Sequence, residues 1–84
     1  MSKRDKAILR LKSLPKDYTF SEAKSLLLSL GFEEDSKGKT SGSRVRFFKE
    51  GSGAIDLHKP HPGDIMKKYM VKLLRDFLVE KGEI

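Results

Sequence analysis

Eighty-four residues with a formal net charge of +6 and a pI near 9.7 fit one small domain, of a size that buries only about 60–65% of its unfolded surface. Nearly every large apolar side chain is then needed for the core, which leaves little room for a deep catalytic cleft, so any active site should be shallow and open to solvent. The absence of cysteine excludes disulfides, thiolate chemistry and zinc–cysteine centres, and fits a reducing compartment.

No apolar run approaches about 18 residues, and MSKRDK leads into an amphipathic segment without the hydrophobic stretch of a signal peptide. A soluble cytoplasmic protein without a membrane partner is expected. Its charge is uneven. Residues 1–20 carry six cationic and two anionic side chains and residues 37–61 carry the same, whereas residues 21–36 carry one and four. The basic excess points to a polyanionic partner, and the acidic patch beside it suits a protein partner.

The first predicted element is a short amphipathic helix over Asp5–Leu14, in which Ala7, Ile8, Leu11 and Leu14 recur at helical spacing until Pro15. A second helix spans Thr19–Gly31. Thr19 and Glu22 have capping-box spacing, Phe20, Ala23, Leu26, Leu27 and Leu30 form a core stripe, and Gly31 suits a left-handed C-terminal cap. Phe32–Ser36 reads as a short edge strand whose acidic residues discourage sheet-to-sheet pairing. Lys37–Gly42 reads as a polar loop, with Lys37 and Lys39 in reach of phosphate.

The segment Ser41–Gly63, SGSRVRFFKEGSGAIDLHKPHPG, reads as a β-hairpin and a stiff turn. Period 2 places Val45, Phe47, Ile55 and Leu57 on one face. Arg44, Arg46, Phe48, Asp56 and His58 fall on the other. Pro60 and Pro62 then restrain the backbone around His58, Lys59 and His61. A last helix is predicted over Asp64–Gly82, with a stripe of Ile65, Met66, Tyr69, Met70, Leu73, Leu74, Phe77 and Leu78. Glu83-Ile84 is left as a frayed tail. The order α-α-β-β-β-α predicts an α+β two-layer sandwich, a three-stranded antiparallel sheet with helices on one face.

This order looks like the double-stranded-RNA-binding-domain fold. The segments LLLSLGFEE, GKTSGSRVRF and IDLHKPHPG, followed by the closing helix, resemble HicA, the toxin half of the HicA–HicB toxin–antitoxin systems. The likeness runs from Thr19 to Gly82 within one domain over residues 1–84, and makes residues 1–16 an N-terminal extension. It implies a small endoribonuclease that cleaves messenger RNA and is silenced by a HicB-like antitoxin covering its catalytic surface. The family pattern has Gly-Ser-His early in the second strand, with that histidine catalytic. Here Gly42-Ser43 is followed by Arg44.

Arginine stays protonated near neutral pH and does not serve as a general base, but it binds phosphate bidentately and stabilises developing charge. RNA cleavage also needs a group that takes the 2′-hydroxyl proton, and histidine suits that task. The residues therefore suggest Arg44 on the phosphate, His58 as proton carrier and His61 assisting. Arg46, Phe48, Lys37, Lys39 and Lys59 are the further RNA-contact candidates, Phe48 by stacking on a base or by meeting the antitoxin. No cofactor is expected. His58, His61 and Asp64 form an H-x2-H-x2-D series, yet the prolines oppose convergence and no fourth ligand is apparent, so no metal is expected either. Two rivals stand beside the nuclease: a non-catalytic RNA-binding module, and a subunit that mainly binds its antitoxin.

Overall fold

The computed structural model describes residues 2–35, 44–60 and 62–84. Its elements are α1 (Lys3–Lys12), α2 (Phe20–Ser29), β1 (Glu33–Asp35), β2 (Arg44–Lys49), β3 (Gly53–His58) and α3 (Lys68–Glu80). The strands form one antiparallel sheet in the order β1-β2-β3. The architecture is the expected α+β arrangement, consistent with the double-stranded-RNA-binding-domain-like fold. Lys37, Lys39 and the rest of the predicted 37–42 loop, together with His61, lie outside the described residues.

The local signals explain the elements. At the start of α2 the Glu22 amide donates to Thr19 Oγ1 at 3.1 Å, and the Thr19 amide donates back to Glu22 Oε2 at 2.8 Å. This reciprocal cap satisfies two of the donors a helix start leaves free. Gly31 follows with φ +99°, where a β-carbon is disfavoured. Ser2 and Asp5 form a second capping box, so α1 begins at Lys3, ahead of the predicted Asp5. It ends at Lys12, and Leu14 takes φ +52° immediately before Pro15.

The core lies between the helices and one sheet face. Leu11, Ala23, Leu27, Phe47, Leu57, Val71, Leu74 and Leu78 are fully buried in it. Val45 pairs with Leu57 and Phe47 with Ile55 across the hairpin, so the predicted apolar set does face inward. The ring of Phe47 meets that of Phe20 at 6.3 Å.

Three expectations about the C-terminal third need correction. The last helix starts at Lys68, not Asp64. Residues ahead of it run alongside the entry to α2: Phe20 N–H donates to the Asp64 carbonyl at 2.7 Å, and Met66 N–H donates to the Tyr18 carbonyl at 2.8 Å. The Asp64 carboxylate accepts from the Ser21 amide at 3.1 Å. It therefore caps α2 and not its own helix. Second, Ile65, Tyr69 and Leu73 are exposed, whereas Val71 is fully buried. At about 100° per residue Met70, Val71, Leu74 and Leu78 share one arc of the helix, and Tyr69 and Leu73 lie beside it. Eight apolar residues exceed what one packing face takes in.

Third, the tail is docked. Glu83 accepts from Lys49 Nζ at 2.7 Å and from the buried Ser52 hydroxyl at 2.6 Å, while Lys49 also donates to the Leu30 carbonyl at 2.8 Å. Ile84 packs against the core. This cluster ties the hairpin turn, the end of α2 and the C-terminus together.

Several of these ties are acid-sensitive. The Arg10 guanidinium holds Glu22 below the ordinary carboxyl range, and Arg46 does so for Asp56. Ser21 lowers Asp64, and Lys49 with Ser52 lowers Glu83. A carboxyl lowered on folding contributes stability above its unfolded value and loses it as pH falls through the folded one. Urea unfolding is therefore expected to show stability falling as pH drops below the ordinary glutamate value of 4.5. Glu83→Gln should be less stable at pH 7 and have a shallower acid slope, and an unchanged slope would count against the Glu83 tie.

Candidate functional site

The outer face of the sheet is set by register. Arg44 lies directly opposite His58, Arg46 opposite Asp56, and Phe48 opposite Ala54. Side chains so placed share a face, with β-carbons about 4.5–5.5 Å apart. On the other side of β2, Asp35 lies opposite Arg46 and Glu33 opposite Phe48. Arg44, Arg46, Phe48 and His58 are all exposed. The structure thus brings Arg44 and His58 together at one end of the hairpin, on the face away from the helices.

The two arginines differ in their surroundings. Arg46 Nε donates to Asp56 Oδ1 at 2.8 Å and Nη2 to Oδ2 at 3.3 Å. This pair lowers the Asp56 carboxyl and raises the Arg46 guanidinium, which also feels Asp35. Two carboxylates flank this cation, so its field is largely cancelled. Arg44 and His58 have no ion pair or side-chain hydrogen bond among the described residues. The sheet face is therefore graded: Arg46 is neutralised in the middle, while Arg44 and His58 at the end act on Asp56 only through their field. Phe48 stands 47% exposed on the same face, with its neighbours Glu33 and Ala54 across the strands.

Beyond His58 the surface folds into a groove of about 570 Å³ between the end of β3 and the start of α3. His58, Lys59 and Pro60 form one side; Ile65, Lys67 and Tyr69 approach from the other. His58 thus belongs to both the open face and the groove. Lys59, a further RNA-contact candidate, lies in this groove.

Sequence reasoning missed Lys67 and Tyr69. Tyr69 was hidden in a predicted helix whose apolar stripe looked like core throughout, and Lys67 was read only as a border of that stripe. The available signal was its width, because a stripe of eight leaves some members outside. The Asp64 carboxylate, the third member of the H-x2-H-x2-D series, is engaged by Ser21. Among the described residues no group of three His, Cys, Asp or Glu side chains is placed to hold a metal ion, and no helix is long and apolar enough to cross a membrane.

Comparison with known proteins adds one match. A search of curated proteins and a search of solved structures each found no significant similarity. The family model described as the HicA toxin of bacterial toxin–antitoxin matches residues 20–76. That span runs from the first residue of α2 through the whole sheet and the groove into α3, and leaves α1 outside. With this fold and a match over more than half its length, the chain belongs to the HicA toxin family of toxin–antitoxin systems.

Proposed function

We propose that this chain is an endoribonuclease that cleaves messenger RNA on the open sheet face and is neutralised by a HicB-like antitoxin. Residues 1–84 act as one domain, with residues 1–16 an extension of a core over residues 19–82. The observation that carries the reading is the register of Arg44 against His58 on an exposed face.

The Arg44 guanidinium binds the non-bridging oxygens of the scissile phosphate and stabilises the charge that grows as phosphorus becomes five-coordinate. The His58 imidazole takes the 2′-hydroxyl proton while the 2′-oxygen attacks phosphorus. The bond to the 5′-oxygen breaks, and that oxygen takes up a proton, the step assigned from the sequence to His61. The products are a 2′,3′-cyclic phosphate and a 5′-hydroxyl. No step calls on a metal or cofactor. Arg46, paired with Asp56, acts less as a phosphate ligand than as a fixed neighbour. Lys59 extends the positive surface along the RNA, and Phe48 offers a ring to a base or to the antitoxin. The antitoxin acts by covering this surface, and its acidic side chains suit Arg44 and Lys59.

One experiment separates this reading from its rivals. RNA is incubated in EDTA with the wild-type chain and with His58→Ala, Arg44→Ala and His61→Ala. Cleavage by the wild type that disappears in His58→Ala supports the nuclease. Salt-sensitive binding without cleavage in any preparation identifies a binding module, the role favoured by arginine standing where the family pattern has histidine. Neither activity, with a HicB-like protein copurifying, identifies an antitoxin-binding subunit.

A further inference from the structure

The groove beside His58 adds Ile65, Lys67 and Tyr69, which the proposed cleavage scheme does not use, to His58 and Lys59, which it does. Tyr69 is 62% exposed and Ile65 57% exposed, although both sit where the sequence pattern called for core. Burying these side chains against a partner is favourable, and leaving them in water is not. Around them stand three nitrogen-bearing side chains, His58, Lys59 and Lys67. Flat aromatic surface inside a cationic rim is the pairing that holds single-stranded nucleic acid: the cations track phosphates and the ring stacks a base of any identity. The groove's roughly 570 Å³ falls within the range of small-molecule sites, roomy enough for one nucleotide.

The start of α3 carries positive charge only. Lys67 is the N-cap of α3 and has no side-chain capping bond, Lys68 opens the helix, and the first turn holds no acidic residue. Cations at the positive end of a helix dipole are unfavourably placed, whereas an anion there is favoured. α1 and α2 carry Asp5 and Glu22 in that position. A phosphate entering the groove would supply the missing negative charge. His58 lines the groove and faces Arg44 across the hairpin, so the groove adjoins the Arg44–His58 pair.

We infer that the groove between β3 and α3 is a subsite for one unstacked nucleotide of single-stranded RNA, its base on Tyr69 and its phosphate between Lys59 and Lys67. This rests on the reading of the open face as an RNA-handling surface. It adds a specificity: the substrate is single-stranded at the site of attack, because a base held in a duplex does not reach Tyr69 without leaving its stack.

The test uses a short single-stranded oligoribonucleotide made uncleavable by 2′-deoxy substitution at the scissile linkage, with 2-aminopurine at the adjacent position. Wild type should quench the fluorophore and bind this probe more tightly than the same strand in a duplex. Tyr69→Ala should abolish the quenching and weaken binding at least about fivefold. Tyr69→Phe should restore both, and Lys67→Gln should weaken binding while preserving quenching. Tyr69 is exposed, so its truncation spares the core, which circular dichroism checks.

Wild-type quenching and affinity in Tyr69→Ala would overturn the subsite, as would equal affinity for strand and duplex. Loss of antitoxin copurification in Tyr69→Ala, with RNA binding untouched, would reassign the groove to the protein partner and also overturn it. Because the probe is uncleavable, the subsite is read even if the chain proves catalytically inert. Absence of RNA binding by every variant, wild type included, would instead refute the RNA-handling reading itself.

Discussion

Truncating His58 to alanine is expected to slow RNA cleavage by about 10²–10⁴-fold, the usual contribution of a positioned acid–base group. The folded protein should be unaffected. His58 ends β3 on the outer face, exposed and without a hydrogen-bonded partner among the described residues, so its removal deletes no core contact. Arg44→Ala should lose about 10²–10³-fold, as when one preorganised donor to a transition-state oxyanion is removed. Arg44→Lys should recover little, because an ammonium lacks the planar fork that grips two phosphate oxygens together. If the two groups act on one phosphate, the double variant should be little slower than the worse single one. Single-turnover rates with parallel thermal melts check this. Multiplicative losses would mean that the two side chains work independently, and unchanged cleavage in His58→Ala would remove it from the chemistry.

Phe47→Ala is expected to be the most damaging single change to stability. Phe47 is 0% exposed at the middle of the central strand, its ring against Phe20. Truncating such a phenylalanine destabilises by about 3–5 kcal/mol. A chain of this length has roughly 4–13 kcal/mol in total, so the variant should be largely unfolded at moderate urea concentrations or unfolded outright. Its sequence neighbour supplies the contrast. Phe48 has the same side chain on the solvent face, and Phe48→Ala should fall within about 0.5 kcal/mol of wild type. Urea midpoints of the pair read the sheet register directly, since a one-residue slip exchanges the two faces. Equal losses from both would contradict the orientation that sets Arg44 beside His58.

What the sequence disclosed and what it hid divide by range. The hairpin was legible because period 2 is a local property: Val45, Phe47, Ile55 and Leu57 alternate with the groups that face outward, and the pairing follows from the turn between them. The start of α2 was legible for the same reason, since Thr19 and Glu22 satisfy each other within one turn. The last helix was expected to begin at Asp64, yet the carboxylate of that residue serves Ser21, 43 residues away. Glu83 misled likewise, because nothing near it in the chain announces Lys49 or Ser52.

The candidate site shows the same division. The facing of Arg44 and His58 follows from alternation, and the engagement of Asp56 by Arg46 follows from register once the pairing is known. The neutralisation of Arg46 by carboxylates on both sides needed β1 to be placed, and Asp35 is far from Asp56 in sequence. Tyr69 and Lys67 needed the packing angle of α3, which decides which part of an overwide apolar stripe meets the sheet. Composition alone marked the chain as basic; among the described residues the fold shows where that charge is answered, as at Arg46.

The most direct measurement is the chemical identity of the RNA ends released by the wild-type chain in EDTA, with His58→Ala beside it. Attack by the 2′-oxygen under Arg44 and His58 should leave 2′,3′-cyclic phosphate, or the monophosphate formed by its hydrolysis, and 5′-hydroxyl ends, with no fragments from His58→Ala. Fragments bearing 3′-hydroxyl and 5′-phosphate ends, or the expected ends produced equally by His58→Ala, would contradict it.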